Sequence, residues 1–515
     1  MTIVLAAPAA WAQKAQSFDV FEYRVQGNSV LPGETIERAV YPFLGEGRSI
    51  NDVEAARSAL EKAYRDAGFG TVLVDLPEQR VDDAVVTLQV LEAPVARLRV
   101  VGAQYYSQQR ILDKVPGLAE GRVPNFTEVQ QQLASVNTGP DRKVTPLLRP
   151  GKAPGTTEVD LQVEDKLPLH GSMEMNNRQS PDTTAMRLQA SLRYDNLWQR
   201  DHSLGVQFQV SPQDPGEVRA LAGTYTVPAP DGAWVFSGVL SNSNVVSGVG
   251  DTTVLGKGSI VGVRRIVVLD GSERLTQSMS FGVDYKNFRD TVAVNAGTAG
   301  ANGFATPIHY LPFNVGYSGA LDDPTGRWLG SAGLNFALRV VASDEAQFAD
   351  KRFGASSGYS SLKLDLAREQ KLPGALSLFG RLDGQLAGRP LVANEQFVAG
   401  GVDSVRGYLE AAAAGDAAIH GSLELRSPNL AGDRWPGVGL LELHAFAEGA
   451  HLVLRDPLPS QRSAFSLLGA GFGMRVKSDV PARTSLALDL GWPLRALGET
   501  QRGDLRVHAS GAVEF

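Results

Sequence analysis

One arginine stands out by its setting: Arg406, in the glycine-rich run Glu395-Gln396-Phe397-Val398-Ala399-Gly400-Gly401-Val402-Asp403-Ser404-Val405-Arg406-Gly407-Tyr408. A guanidinium offers a rigid fork of donors that suits a carboxylate. Further on, alternation sets Glu442, His444, Phe446 and Glu448 on one strand face and Leu441, Leu443, Ala445 and Ala447 on the other. With the apolar set turned to lipid, Phe446 and Glu448 face inward, where a charge must be wet or paired. Other candidate chemistry fails on context. Gly354-Ala355-Ser356-Ser357-Gly358 has the spacing of a nucleophile elbow, but no strand-to-helix turn surrounds it, so a surface loop is expected. Gly469-Ala470-Gly471-Phe472-Gly473 lacks the helix of a dinucleotide site and reads as a closely packed strand. The chain has no Cys, and none of its 7 His is paired at metal-ligand spacing. No catalytic residue, metal or cofactor is expected, and the chain is not read as an enzyme.

The elements that must carry Glu448 and flank the glycine-rich loop of Arg406 are strands. After Pro168 helical periodicity gives way to alternation: Met186, Leu188, Ala190, Leu192 and Tyr194 against Arg187, Gln189, Ser191 and Arg193, then Leu204, Val206 and Phe208, later Leu362, Leu364 and Leu366. No apolar run is long enough for a membrane helix, and mean hydropathy is −0.11. Barrel strands average to such a value because one face meets lipid and the other the lumen. Roughly 350 residues at about 22 per strand and loop predict a transmembrane antiparallel β-barrel of about 16 strands. Leu505, Val507, Ala509, Gly511, Val513 and Phe515 close the chain in an unbroken apolar register.

The first third repeats itself. Arg24-Val25-Gln26-Gly27 returns as Arg99-Val100-Val101-Gly102, Leu44-Gly45-Glu46-Gly47 as Leu118-Ala119-Glu120-Gly121, and Leu88-Gln89-Val90 as Leu161-Gln162-Val163. Each copy reads strand, helix, helix, strand, strand. In the first, Asn51 is expected to cap a helix carrying Val53, Ala56, Leu60 and Ala63, with Gly68 ending it and strands near Thr71–Leu76 and Ala84–Leu91. Met1 to Ala12 resembles the end of a signal peptide with an A-x-A site. Net charge is −7 with signs interspersed, which argues against nucleic acid as a partner.

Val405-Arg406-Gly407-Tyr408 resembles the VRGY motif of the inward-folded extracellular loop in the BamA/TpsB superfamily. The two repeats resemble POTRA domains, and the terminal Phe515 resembles the signal by which outer-membrane barrels are recognised for assembly. Phe446-Ala447-Glu448-Gly449-Ala450 is similar to the family's F-x-D-x-G strand motif, with Glu448 for Asp and Ala450 for Gly; the resemblance implies that Glu448 partners Arg406. Two POTRA-like repeats favour the TpsB transporters of two-partner secretion. The resemblance implies a signal remnant at 1–12, POTRA domains at 18–95 and 96–166, and a barrel at 167–515. It implies a monomeric outer-membrane transporter with periplasmic POTRA domains that capture an unfolded haemolysin-, adhesin- or toxin-type exoprotein by strand addition. Its other partners would be outer-membrane lipid and the barrel assembly machinery. The alternative is a BamA-like insertase.

Overall fold

The computed structural model describes residues 17–515 apart from 82, 244–245, 250–251, 294–302, 340, 342–343, 433–434, 460 and 481; the signal segment 1–12 lies outside the described residues. The chain divides into two compact units between Pro168 and Leu169.

The first unit holds the two copies. In the first, strand Glu22–Gln26 lies parallel to Val85–Leu91, which pairs antiparallel with Leu73–Asp75. In the second, Val95–Val101 lies parallel to Thr157–Asp165, which pairs antiparallel with Arg142–Pro150. The longer helix of the first copy, after Gly33–Val40, runs Ile50–Asp66 and buries Val53, Ala56, Leu60 and Tyr64 at helical spacing. Its cap is Ser49, not Asn51: the Ser49 backbone N–H and hydroxyl both donate to Asp52, at 2.8 and 2.7 Å. Because Asp52 answers Ser49 three residues on, a capping box wins over the lone asparagine.

Both copies use one carboxylate in the same way. Glu92 accepts the N–H groups of Ser29 and Val30 at 2.6 and 3.1 Å. Asp165 accepts those of Gln104, Tyr105 and Tyr106 at 3.1, 2.8 and 3.0 Å. Each thereby satisfies the backbone donors of the loop that leaves the first strand, groups that would otherwise lack partners. The copies also share a joint. Asn125 caps the helix Phe126–Val136 by accepting from Thr127 and Glu128, while its Nδ2 donates to Ala67 O, at the end of the other copy's helix, at 2.9 Å. The Phe126 N–H donates to Gly68 O at 2.8 Å. Gly68 sits at φ +94°, and a Cβ there would strike the Asn125 carboxamide, so glycine is required twice over.

The second unit is a closed antiparallel barrel of 16 strands. They are β1 Leu169–Asn176, β2 Arg187–Leu197, β3 His202–Val210, β4 Arg219–Ala229, β5 Gly232–Ser241 and β6 Gly258–Leu269. Then follow β7 Leu275–Ala293, β8 Gly303–Tyr310 continued as Pro312–Asp323, β9 Gly326–Ala337, β10 Ser360–Lys371 and β11 Ser377–Ala387. The last are β12 Ala417–Arg426, β13 Val438–Val453, β14 Ala464–Ser478, β15 Arg483–Pro493 and β16 Arg506–Glu514. β8 counts once, because both of its parts pair with β7 on either side of Leu311.

The alternation read from the sequence has its expected consequence. Leu192, Leu204, Val206, Leu364, Leu366, Leu423 and Leu443 point outward and exposed, whereas Gln209, Gln385, Glu424, His444 and Asp489 are buried within. Closure joins β16 to β1 from Ser510↔Asn176 to Glu514↔Ser172. Beyond that ladder the Asn177 carboxamide continues it, donating to Val507 O and accepting from the Ala509 N–H, both at 2.8 Å. Phe515 ends the register by exchanging two backbone hydrogen bonds of 3.0 Å with Gly171. Its ring covers Gly171, where a Cβ would collide with it.

Candidate functional site: an arginine anchor in the barrel lumen

The segment between β11 and β12, residues 388–416, folds inward. Its arms pair briefly, Phe397↔Gly415 through Ala399↔Ala413, and its tip carries Val405 and Tyr408, both fully buried. Tyr408 donates its hydroxyl to Arg495 O at 2.7 Å and accepts the Leu468 N–H at 3.2 Å. Gly407 adopts φ +99°, and its N–H donates to His508 Nε2 at 3.1 Å. On the other flank, His420 bridges Ser404 O at 2.9 Å and Asp383 at 2.6 Å.

The structure brings Arg406, Phe446 and Glu448 together. Arg406 Nε donates to Glu448 Oε1 at 2.9 Å, and the Arg406 backbone N–H donates to Glu448 Oε2 at 2.7 Å. The guanidinium also reaches Glu424 at 2.9 Å and Asp489 at 3.2 Å, and it lies 3.5 Å from the centre of the Phe446 ring. All four charged side chains are nearly inaccessible. Three carboxylates around one arginine would carry excess negative charge; Arg475 and Arg426 relieve it, each 2.7 Å from Glu424 Oε1, and His444 holds Asp489 at 2.5 Å.

Strand register explains why these residues meet. Glu424 on β12 faces Phe446 on β13, which faces Gly471 on β14, which faces Gly491 on β15. One residue pair away, His444, Gly473, Asp489 and His508 form a second row across β13 to β16. The glycines make room. A Cβ on Gly469 would collide with Arg406 O, and one on Gly491 would stand 2.7 Å from the Gly407 nitrogen. The close packing expected of Gly469, Gly471 and Gly473 is therefore packing against the loop and its anchor, where bare backbone lets Val405-Arg406-Gly407-Tyr408 lie against the wall.

Sequence reasoning missed Glu424, Asp489, His508 and Gly491. A signal for the acids was present: Glu424 stands between Leu423 and Leu425, and Asp489 between Leu488 and Leu490, which marks an inward charge on an outward-apolar strand. The expected surface loop at Gly354–Gly358 needs correction. Ser356 and Ser357 are buried, and Ser357 donates its N–H and hydroxyl to Glu345 at 2.9 and 2.5 Å. These serines follow a helix and precede a strand, the reverse of a nucleophile elbow.

Comparison with known proteins agrees with this architecture. A family model described as haemolysin secretion/activation protein ShlB/FhaC/HecB matches residues 155–476, and one described as POTRA domain, ShlB-type, matches residues 18–93. The outer membrane transporter CdiB of Dickeya dadantii is 23% identical over 508 residues, covering 94% of this chain and 84% of that protein. Among solved structures, CdiB from Escherichia coli superposes with a TM-score of 0.62 at 19% identity, covering 99% of this chain and 93% of the other. BamA from Haemophilus ducreyi lacking POTRA domains 1–3 gives 0.58 at 13% identity, covering 97% and 100%. At these identities the structural likenesses speak for the fold.

Proposed function

This chain belongs to the ShlB/FhaC/HecB family of haemolysin secretion/activation proteins, and from that premise we propose that it exports one unfolded partner polypeptide of the haemolysin, adhesin or toxin type. Membership makes it an outer-membrane transporter of two-partner secretion with its POTRA domains in the periplasm. β1 accordingly runs outward. Short turns such as Pro324-Thr325 lie at the periplasmic rim, and the segment bearing Arg406 enters from the extracellular rim.

The observation that carries the proposal is the anchored loop: a covalently continuous segment fills part of the lumen and is held there by noncovalent contacts of Arg406 and its neighbours. In this reading the POTRA pair takes up an extended segment of the exoprotein along a sheet edge, with backbone hydrogen bonds giving affinity. The substrate then displaces the loop, threads the lumen and folds outside, and that folding supplies direction. The chain acts as a monomer without enzymatic chemistry, is inserted by the barrel assembly machinery, and meets lipid through its outward leucines. Val405, Arg406, Gly407 and Tyr408 would form the lumen anchor with Phe446 and Glu448 as strand partners, and Phe515 would serve as the assembly signal. The insertase alternative has the BamA fold likeness behind it and no better support.

The test is removal of residues 18–166. The remaining barrel is expected in the outer membrane, with export of the cognate exoprotein abolished. Normal export by the truncated chain would end the POTRA-capture step, and unchanged export on loss of the whole chain would end the transporter reading.

A further inference from the structure

The lumen contains a second packed body, on a different arc of the wall from Arg406. The helix Glu345–Lys351, between β9 and β10, is started by Asp344, whose carboxylate accepts the Ala346 N–H at 2.9 Å. Its Phe348 is buried to 1% exposure, with its ring centre 5.4 Å from Tyr310 and 6.2 Å from Tyr359. Phe288 and Ile308 of the wall, together with Leu391 and Val392 of the β11–β12 segment, complete this apolar cluster. The helix also protects an edge. Among the described residues the part of β8 that ends at Tyr310 pairs with β7 alone, and Gln347 accepts the His309 N–H on its open side at 3.1 Å.

One carboxylate fastens the assembly. Asp416 is wholly buried and takes both arms of the Arg352 guanidinium, at 2.5 and 2.7 Å. It also accepts the N–H groups of Leu391 and Arg455, at 2.9 and 2.7 Å, and Gln396 Nε2 at 3.1 Å. Three extracellular segments thus meet on a single side chain: β9–β10 through Arg352, β11–β12 through Leu391 and Gln396, and β13–β14 through Arg455. Glu395 bolts the same arm to the wall, accepting from Lys286 at 2.6 Å and from the Tyr310 hydroxyl at 2.7 Å. None of these groups touches Glu424, Glu448 or Asp489 in the described contacts.

We propose that these segments form a second closure of the pore at its extracellular mouth, a lid keyed by Arg352 and Asp416 and separable from the Arg406 anchor. An apolar constriction excludes water from a pore without needing to fill it completely. A buried ion pair is a weak source of net stability, but losing one partner is costly, so removing either Arg352 or Asp416 should loosen the arrangement. Residues 391–396 belong to the lid and residues 400–408 to the anchor, so one extracellular segment serves both. A substrate arriving from the periplasm would have to displace each.

The proposal rests on the barrel being a passage, and its test needs no exoprotein. The full chain is reconstituted in planar bilayers, with heat-modifiable migration confirming assembly of every variant. Arg352→Ala, Asp416→Ala and Phe348→Ala are each expected to raise conductance severalfold while Arg406 stays in place; adding Arg406→Ala should raise it further, to roughly tenfold above the parent chain. Phe348→Ala leaves the charged fastening intact, so it carries the test if a charge variant fails to assemble. Lid variants that assemble and conduct like the parent chain would overturn the proposal. So would Arg406→Ala alone reaching the conductance of the combined variant. Loss or retention of secretion bears separately on the transport reading.

Discussion

Glu448 binds Arg406 twice, through the guanidinium and through the backbone N–H, so one carboxylate fixes both where the loop runs and where its charge points. Glu424 and Asp489 hold the guanidinium alone. The two kinds of contact separate in mutants.

Arg406→Lys should be nearly as damaging as Arg406→Ala, because an ammonium cannot span three carboxylates that a planar fork meets together. Removing the arginine strands the buried Glu448 carboxylate, a loss of about 3–5 kcal/mol in loop docking. Secretion at matched barrel levels and pore conductance measure it. Wild-type behaviour of the lysine variant would remove the fork from this account.

Glu448→Ala combined with Arg406→Ala should cost less than the sum of the two single changes, because Arg406→Ala strands the Glu448 carboxylate, a charge that the double change removes. Arg406→Ala should also be the worse single, since Glu424 and Asp489 still hold Arg406 when Glu448 is gone. Additive effects would make Glu448 an ordinary lumen residue.

Gly469→Ala and Gly491→Ala should reproduce the loss of Arg406 without altering any charge. A methyl group at either place meets the backbone of Arg406 or Gly407, and such overpacking costs about 1–3 kcal/mol. Gly333, whose added Cβ would meet nothing within 4 Å, is the matched control. Conductance of the alanine variants equal to that of the control would show that the wall tolerates the loop at a greater distance.

Phe515→Asp should lower the amount of assembled barrel rather than the activity of what assembles. Gly171→Val, at the other end of the unit, should act in the same direction, because the added side chain displaces the Phe515 ring. Heat-modifiable migration of membrane fractions reads both, and unchanged levels in Phe515→Asp would count against a terminal signal.

Asp165→Asn should loosen residues 104–106, and Glu92→Gln residues 29–30, at about 1–3 kcal/mol each, because an amide replaces a charged acceptor shared among several N–H groups. Hydrogen exchange on the full chain should show faster amides confined to those loops. Exchange unchanged there would reduce the carboxylates to bystanders.

The barrel was legible because alternation in segments such as Met186–Tyr194 is a local property, and so was the inward aim of Phe446 and Glu448. The partners Glu424 and Asp489 were not. Alternation says which way a residue points, whereas meeting Arg406 depends on which rows align across β12 to β16, and that depends on turns and stagger along the chain. The helix Glu345–Lys351 escaped notice for a different reason: it is too short for periodicity to register, and its burial against Tyr310 and Tyr359 does much to stabilise it. At the start of the helix Ile50–Asp66, Asn51 has the residue type of a cap, but the answering acid Asp52 stands three residues after Ser49 and hands the cap to Ser49.

The Asn125 joint has a mechanical consequence. Two modules connected by a free tether would swing apart under tension, and a tug on one would be lost in slack. Here the carboxamide that starts a helix in the second module grips Ala67 at the tail of the helix in the first, and Phe126 closes on Gly68 beside it. The two modules are therefore tied at this joint, so that strain applied at the strand edge of the first has a hydrogen-bonded route to the second.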